Sequence, residues 1–505
     1  MLPEFIVSAL NILATVFVFA IGVAVLVIIA FYIIDITQTK HAIRRNYPVI
    51  GRMRYFLEHQ GEFFRQYFFA MDREEMPFNR AQRSWAYRAA KGVDSTAAFG
   101  STRDLRVPGT PMFVSSAFPV LDQDSVPAVP IVIGPDCEHP YSHAPFFNIS
   151  GMSYGALSRV AVKALSRGAN LAGIWYNTGE GALSPFHLEG ECDIVFQIGT
   201  AKYGVRDGAG SFDLDKLRGL AAKPQVRMFE IKLSQGAKPG KGGILPGEKV
   251  NDEIALIRGI PEGEDSISPN RHPEIGTVSD LLEFIHRVRE TTGKPTGIKT
   301  VVSDTAWLDD LFHEVHQRGI QSAPDFITVD SADGGTGAAP LALIDNVGLP
   351  LNEALPMLVD SLIRWGLKER AKVISSGKLI TPAEVAWALC AGADFCVSAR
   401  GFMFALGCIQ ALQCNKNTCP TGITTHDRRL QRGLVPREKD KRVASYAKAM
   451  MKEVGVIAHS CGVKEPRELR REHVRIQTDT GRSIPMSVLW PYPEVGEALR
   501  VHAAE

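Results

Sequence analysis

Charge of one sign is missing in any excess: 56 lysines and arginines meet 55 acids, a net charge of +1 over 505 residues. A chain so balanced lacks the basic field that nucleic-acid binding draws on, and no nucleic-acid partner is expected. Cysteine is sparse at eight residues, too few for a disulfide framework at this length. Three of them cluster, which points to a reducing compartment where thiols stay available for metal. Low-complexity tracts and internal repeats are absent. So is a dinucleotide fingerprint, since GMSYGA at 151–156 is not GxGxxG. Charged side chains are missing altogether from Phe5 to Ile34, over thirty positions.

That uncharged run is the first feature with structural content. At ~1.5 Å per residue, a helix of this length exceeds the ~30 Å hydrocarbon core of a bilayer, so residues 1–36 are expected to form a transmembrane anchor. The rival, a cleaved signal peptide, requires a basic segment ahead of a shorter apolar run, whereas this chain opens MLPE. Lys40, Arg44, Arg45, Arg52 and Arg54 all follow the span, which places the rest of the chain in the cytoplasm as a single-pass membrane protein. Residues 37–106 interleave aromatics with arginine, as in RMRYFLEHQGEFFRQYFF. They read as a membrane-proximal helical segment that packs on protein or lies at the headgroup boundary.

Beyond Val107 the chain settles into short apolar runs separated by helical patterns. Candidate strands are 146–150, 173–178, 193–198, 228–234, 296–303, 326–331, 372–377 and 394–399. Stretches such as LSRVAVKALSRGA, VSDLLEFIHRVRETTG, LDDLFHEVHQRG and TPAEVAWALCAGA have helical periodicity and lie between them. Eight buried-type strands alternating with helices argue for an α/β fold of parallel units, a closed (β/α)8 TIM barrel over 107–460, with an open doubly wound sheet as the alternative. Residues 461–505 form a C-terminal tail with some β character.

In such a barrel the active site lies at the carboxyl ends of the strands. Strand seven ends in Ser375-Ser376-Gly377 and strand eight in Ser398-Ala399-Arg400-Gly401, small residues that let backbone N–H groups approach an anion, with Arg400 adding charge. Cys408, Cys414 and Cys419 follow at C-x5-C-x4-C spacing in GCIQALQCNKNTCPTG. Three thiolates without a nearby histidine lean toward iron-sulfur rather than zinc, although all-cysteine ligation usually takes four; the alternative is one core thiol and two loop thiols.

Four long phrases, NISGMSYGALS (148–158), KLSQGAKPGKGG (232–243), DGGTGAAPL (333–341) and the cysteine segment, occur in this order. Together they resemble the FMN-binding synthase domain of glutamate synthase, over roughly residues 140–455. The resemblance implies an oxidoreductase acting on CH-NH2 donors, in which Cys408, Cys414 and Cys419 hold a 3Fe-4S cluster that passes electrons to FMN. It implies a flavin held by Gly151, Met152, Ser153, Gln197, Lys299, Gly334, Gly335, Gly377, Ala399 and Arg400. It further implies a 2-oxo acid met by Glu180, Lys232, Lys238 and Arg258. A lysine beside the flavin has its own rationale in the negative charge of the reduced ring.

Two positions depart from the family pattern: Lys241 stands where a glutamate is usual in GAKPGEGG, and Ile244 stands where a substrate-contacting glutamine is usual. Losing a buried polar partner costs ~1–3 kcal/mol for a polar ligand, so the pocket is expected to have shifted from 2-oxoglutarate. Where the family's glutaminase domain with its catalytic cysteine would stand, this chain has the uncharged span, so ammonia or an amine is expected to come from elsewhere. Electrons are expected from a ferredoxin-like protein or a membrane partner. Two further readings stand beside reductive amination: FMN chemistry or amine transfer on another small carboxylate, and a membrane-tethered electron-relay or assembly subunit.

Overall fold

The computed structural model describes residues 3–502, and the chain divides between Ala81 and Gln82 into two compact units. In the first, α1 (Glu4–Thr37) is a helix containing an 18-residue stretch of mean hydropathy 3.1, long and apolar enough to cross a membrane. Its apolar side chains are exposed, and Asp35 is its buried residue. The Asp35 carboxylate accepts from Arg52 Nε at 2.9 Å, Arg52 Nη2 at 2.8 Å and the Val49 amide at 3.0 Å. Arg52 also lies 4.0 Å over the Phe31 ring. This pair fixes the corner at which α2 (Gly51–Phe64) leaves the long helix. Phe56, Phe63, Phe64, Tyr67, Phe68 and Phe69 are exposed along α2 and the wider helical turn that continues it.

The second unit is built on eight parallel strands: β1 (Phe147–Ile149), β2 (Tyr176–Asn177), β3 (Ile194–Ile198), β4 (Val226–Lys232), β5 (Thr296–Thr300), β6 (Phe326–Asp330), β7 (Lys372–Ser376) and β8 (Phe395–Ser398). Each pairs with its neighbours in chain order and β8 returns to β1, closing the barrel. All eight lie within the segments expected from the sequence, save that β4 begins two residues earlier. Strands buried on both faces have no polar side to alternate with, which is why they read as continuous apolar runs.

Alternation within the strands sorts the interior into layers. Trp175, Val195, Met228, Phe326, Ile374, Phe395 and Val397 form an apolar plug, joined by Ile133 and Tyr141 of the hairpin Ile131–Ile133/Tyr141–His143. Two residues further along come Asn177, Gln197, Glu230 and Thr328, all buried. The next step brings Lys232 and Asp330, so polarity rises toward the carboxyl ends of the strands.

Helices α3 (Arg159–Ala172), α4 (Asp252–Arg258), α5 (Val278–Thr292), α6 (Ala306–Arg318), α7 (Leu351–Arg364), α8 (Pro382–Ala391), α9 (Arg400–Leu406) and α10 (Pro436–Ser460) belong to this unit. Local chemistry sets their ends: Thr277 and Thr381 form capping boxes with Asp280 and Glu384, and Gly293 and Gly392 close the same helices in the left-handed conformation. The tail strands Val474–Gln477 and Ser483–Pro485 form a three-stranded antiparallel sheet with Pro111–Phe113, which precedes the barrel. Helices α3 and α10 pack closely at Gly168, where a Cβ would sit 2.5 Å from Val443 Cβ and 2.7 Å from the Asp440 carbonyl. Gly168→Leu is therefore expected to destabilise the barrel by about 1–3 kcal/mol or more, read as a lower urea midpoint.

Candidate active site

One cavity opens at the carboxyl ends of the strands, and most of the residues singled out above line it: Gly151, Met152, Ser153, Glu180, Gln197, Lys232, Lys238, Arg258, Lys299, Gly335, Ala399, Arg400 and Cys414. They come from segments more than 200 residues apart, brought together because every strand ends at the same rim.

On one side lies a cluster of cations around one carboxylate. Lys232, the last residue of β4, donates from Nζ to Glu180 Oε1 at 2.8 Å and to Gln235 Oε1 at 3.1 Å. Glycine makes room for Glu180: a Cβ on Gly199 would meet Glu180 Cβ at 2.6 Å, and one on Gly243 would meet Oε1 at 2.7 Å. Burial alone would raise the Glu180 pKa, but the charges of Lys232, Lys238 and Arg258 outweigh it and bring it down to about 2. Lys238, 3% exposed, donates to the Ala338 carbonyl at 3.4 Å, and burial pushes its pKa down to about 8 against the pull of Glu180. Arg258, the last residue of α4, donates to the Tyr154 carbonyl at 2.8 Å and Ser266 Oγ at 3.3 Å, while its buried Nε has no partner.

On the barrel axis Lys299 is buried with its Nζ 3.3 Å from Asp330 Oδ2. Burial would lower its pKa, but Asp330 and Glu230 override this and raise it. The same Asp330 oxygen accepts the Gly236 amide at 3.0 Å, and Oδ1 accepts from Ser376 Oγ at 2.9 Å. Gly151 is needed as glycine, since a Cβ would meet Asn177 Oδ1 at 2.9 Å and Gln197 Nε2 at 3.0 Å. Gly334 and Gly377 are not among the lining residues: both pack around Ser331, Gly334 donating its amide to the Ser331 carbonyl at 2.9 Å.

The cysteine segment follows α9. Cys414 lines the cavity, with its Sγ 3.8 Å from Arg400 Nη1; Arg400 also donates to the Thr336 carbonyl. Cys408 is half-buried and its Sγ accepts from the Gln410 amide at 3.5 Å. Cys419 is buried, with Thr421 Oγ1 at 3.3 Å. Gln410, Leu412 and Asn417 all have left-handed backbones, a concentration of costly conformations that favours functional loops. Among the described residues, no three of His, Cys, Asp or Glu are gathered as a metal-binding group. The other five cysteines lie elsewhere, four of them buried and Cys137 half-buried.

Sequence reasoning missed Glu230, Asp330 and Lys249. The first two carry a signal: each is an acid inside an apolar strand, at the same parity as the residues that reach the cavity. Lys249 carried none. It is 2% exposed and bridges the Ala156 and Cys414 carbonyls at 2.9 and 3.2 Å.

The fold and this site define a (β/α)8 protein with a cation-rich, anion-accepting cavity at the mouth of the barrel. The conserved region in glutamate synthase matches residues 116–464. The glutamate synthase large subunit-like protein YerD of Bacillus subtilis (strain 168) is 39% identical over 92% of this chain and 96% of its own length. An archaeal-type glutamate synthase (NADPH) of Thermotoga sp. (strain RQ2) is 33% identical over 64% of this chain and 60% of its own length. A glutamate synthase large subunit-like protein of Rhizobium meliloti (strain 1021) is 31% identical over 64% and 73%. The chain belongs to the glutamate synthase family, and its match spans about three fifths of the archaeal-type enzyme.

Because Lys238 is charged below about pH 8 and neutral above it, a dicarboxylate probe such as malonate is expected to bind more weakly as pH rises through 8. Calorimetric titration checks this, and Lys238→Met should remove that limb of the profile.

Proposed function

We propose that this protein is a membrane-anchored, FMN- and iron-sulfur-dependent oxidoreductase that aminates 2-oxoglutarate or a related 2-oxo acid with ammonia, using electrons from an external donor protein. The observation that carries the reading is the single cavity in which the Glu180, Lys232, Lys238 and Arg258 cluster faces Gln197 and Lys299, with Cys414 at its edge. The residues would suit a flavin: Gly151 lets the Asn177 and Gln197 side chains approach its backbone closely, and the buried Lys299 ammonium would meet the negative charge of the reduced ring. Gly335, Ala399 and Arg400 would take the phosphate. For the cluster the support is the donor set itself, the soft thiols of Cys408, Cys414 and Cys419, with the Lys249 and Arg400 cations beside Cys414.

When bound, FMN supplies hydride transfer and a 3Fe-4S cluster supplies one-electron transfer. The chain's own residues do the rest. Lys232, Lys238 and Arg258 bind and orient the carboxylates of the 2-oxo acid. Glu180, held ionised, accepts hydrogen bonds and stabilises the positive charge of an iminium nitrogen. That role differs from proton shuttling, for which Lys238 Nζ, poised near pH 8, is better matched to neutral conditions. Helix α1 anchors the enzyme, with the barrel in the cytoplasm, near a ferredoxin-like donor or a membrane partner.

Ile244 lines the cavity beside these cations, which favours a second reading: the same cofactors acting on a different small carboxylate.

Detergent-purified protein is expected to contain FMN together with iron and sulfide. Cys414→Ser should lose the iron and sulfide and keep the FMN. Dithionite-reduced enzyme given 2-oxoglutarate and ammonium should form glutamate, and Lys232→Met should slow this by about a hundredfold. A flavin-loaded protein that aminates no 2-oxo acid would overturn the reaction, and reoxidation by another carboxylate would select the second reading.

A further inference from the structure

Beneath the cavity floor the barrel holds a buried polar layer with one charge at its centre. Glu230, on β4, is 2% exposed, and its carboxylate takes three side-chain donors. Oε1 accepts from Asn177 Nδ2 at 2.8 Å and from Gln197 Nε2 at 2.6 Å, and Oε2 accepts from Thr328 Oγ1 at 2.6 Å. Strand register enforces the contact, because Gln197 and Glu230 are directly paired across β3 and β4.

An amide side chain is a donor at one end and an acceptor at the other, whereas a carboxylate only accepts. The end of Gln197 that meets Glu230 must therefore be its NH2, and the carbonyl Oε1 is left to face the cavity that Gln197 lines. Lys299 lines the same cavity and offers a donor. Within this one cavity Gln197 Oε1 offers an acceptor and Lys299 Nζ a cationic donor. That pair is complementary to a heterocycle edge carrying an N–H next to a carbonyl, and the pyrimidine edge of a flavin is one.

We propose that Glu230 is a positioning residue that locks the Gln197 amide, so that the cavity reads the N3–H of the flavin; this rests on the FMN reading above. Glu230→Gln keeps a carbonyl oxygen for Asn177 and Gln197 and turns its NH2 to Thr328 Oγ1, so the lock survives. Glu230→Leu removes the acceptor, which frees the Gln197 amide to turn a donor toward N3–H.

The test is FMN affinity by quenching of flavin fluorescence, with N3-methyl FMN as the comparison ligand, on apoprotein whose fold is checked by thermal unfolding. Wild type is expected to prefer FMN over the N3-methyl analogue by about tenfold. Glu230→Leu should lose about tenfold in FMN affinity together with that preference, whereas Glu230→Gln should keep both. An unchanged affinity and preference in Glu230→Leu would overturn the assignment while leaving FMN binding intact. Equal binding of the two ligands by wild type would also overturn it, and needs no variant to fold. Failure of wild type to bind FMN at all would overturn both this assignment and the cofactor reading.

Discussion

The mouth of this barrel depends on compensation of buried charge. An isolated ammonium or carboxylate in a protein interior costs several kcal/mol, so each must be met by an opposite charge or by polar atoms held close. Lys299 meets Asp330 and Glu230, Glu180 meets Lys232, and Lys249 and Arg400 meet carbonyls. Around Glu180 the compensation is incomplete: three cations share one carboxylate. A small anionic ligand would complete it, and the arrangement is thereby predisposed to bind one.

The same contacts tie together parts of the site that belong to different strands. Asp330 Oδ2 holds both the Lys299 ammonium and the Gly236 amide, so the barrel-axis lysine and the start of the GAKPGKGG loop share an anchor. Lys249 joins the loop after β1 to the cysteine segment through two carbonyls. A change in one region would be felt in the other through a single oxygen or a single ammonium. Such links hold the cavity lining and the cysteine segment in a fixed relation.

Much of the scaffold is legible in the sequence, for a simple reason: a strand buried on both faces must be apolar throughout, and eight such runs separated by helical periods have few other folds available. The uncharged thirty-residue run was legible on the same grounds of solvation. Acids inside those strands were passed over. In MFEIKLS the glutamate looks like an interruption, and only strand pairing shows that Glu230 sits at the centre of a polar layer opposite Gln197. Gly334 and Gly377 pack around Ser331, a contact invisible in the sequence because a glycine's spacing says that the backbone needs room but not on which side. The thiol spacing identified one loop, whereas the left-handed turns at Gln410, Leu412 and Asn417 decide where each sulfur points.

Sequence by itself determined the parts set by local solvation and periodicity: the long apolar helix, the eight strands, the capped helices and the chemical types gathered in the motifs. Tertiary structure alone decided which charges become partners. Pairings such as Glu180 with Lys232 or Gln197 with Glu230 depend on the register of strands and the reach of side chains across a closed barrel. Those are distances in space between residues up to 52 positions apart in the chain, which no local pattern encodes.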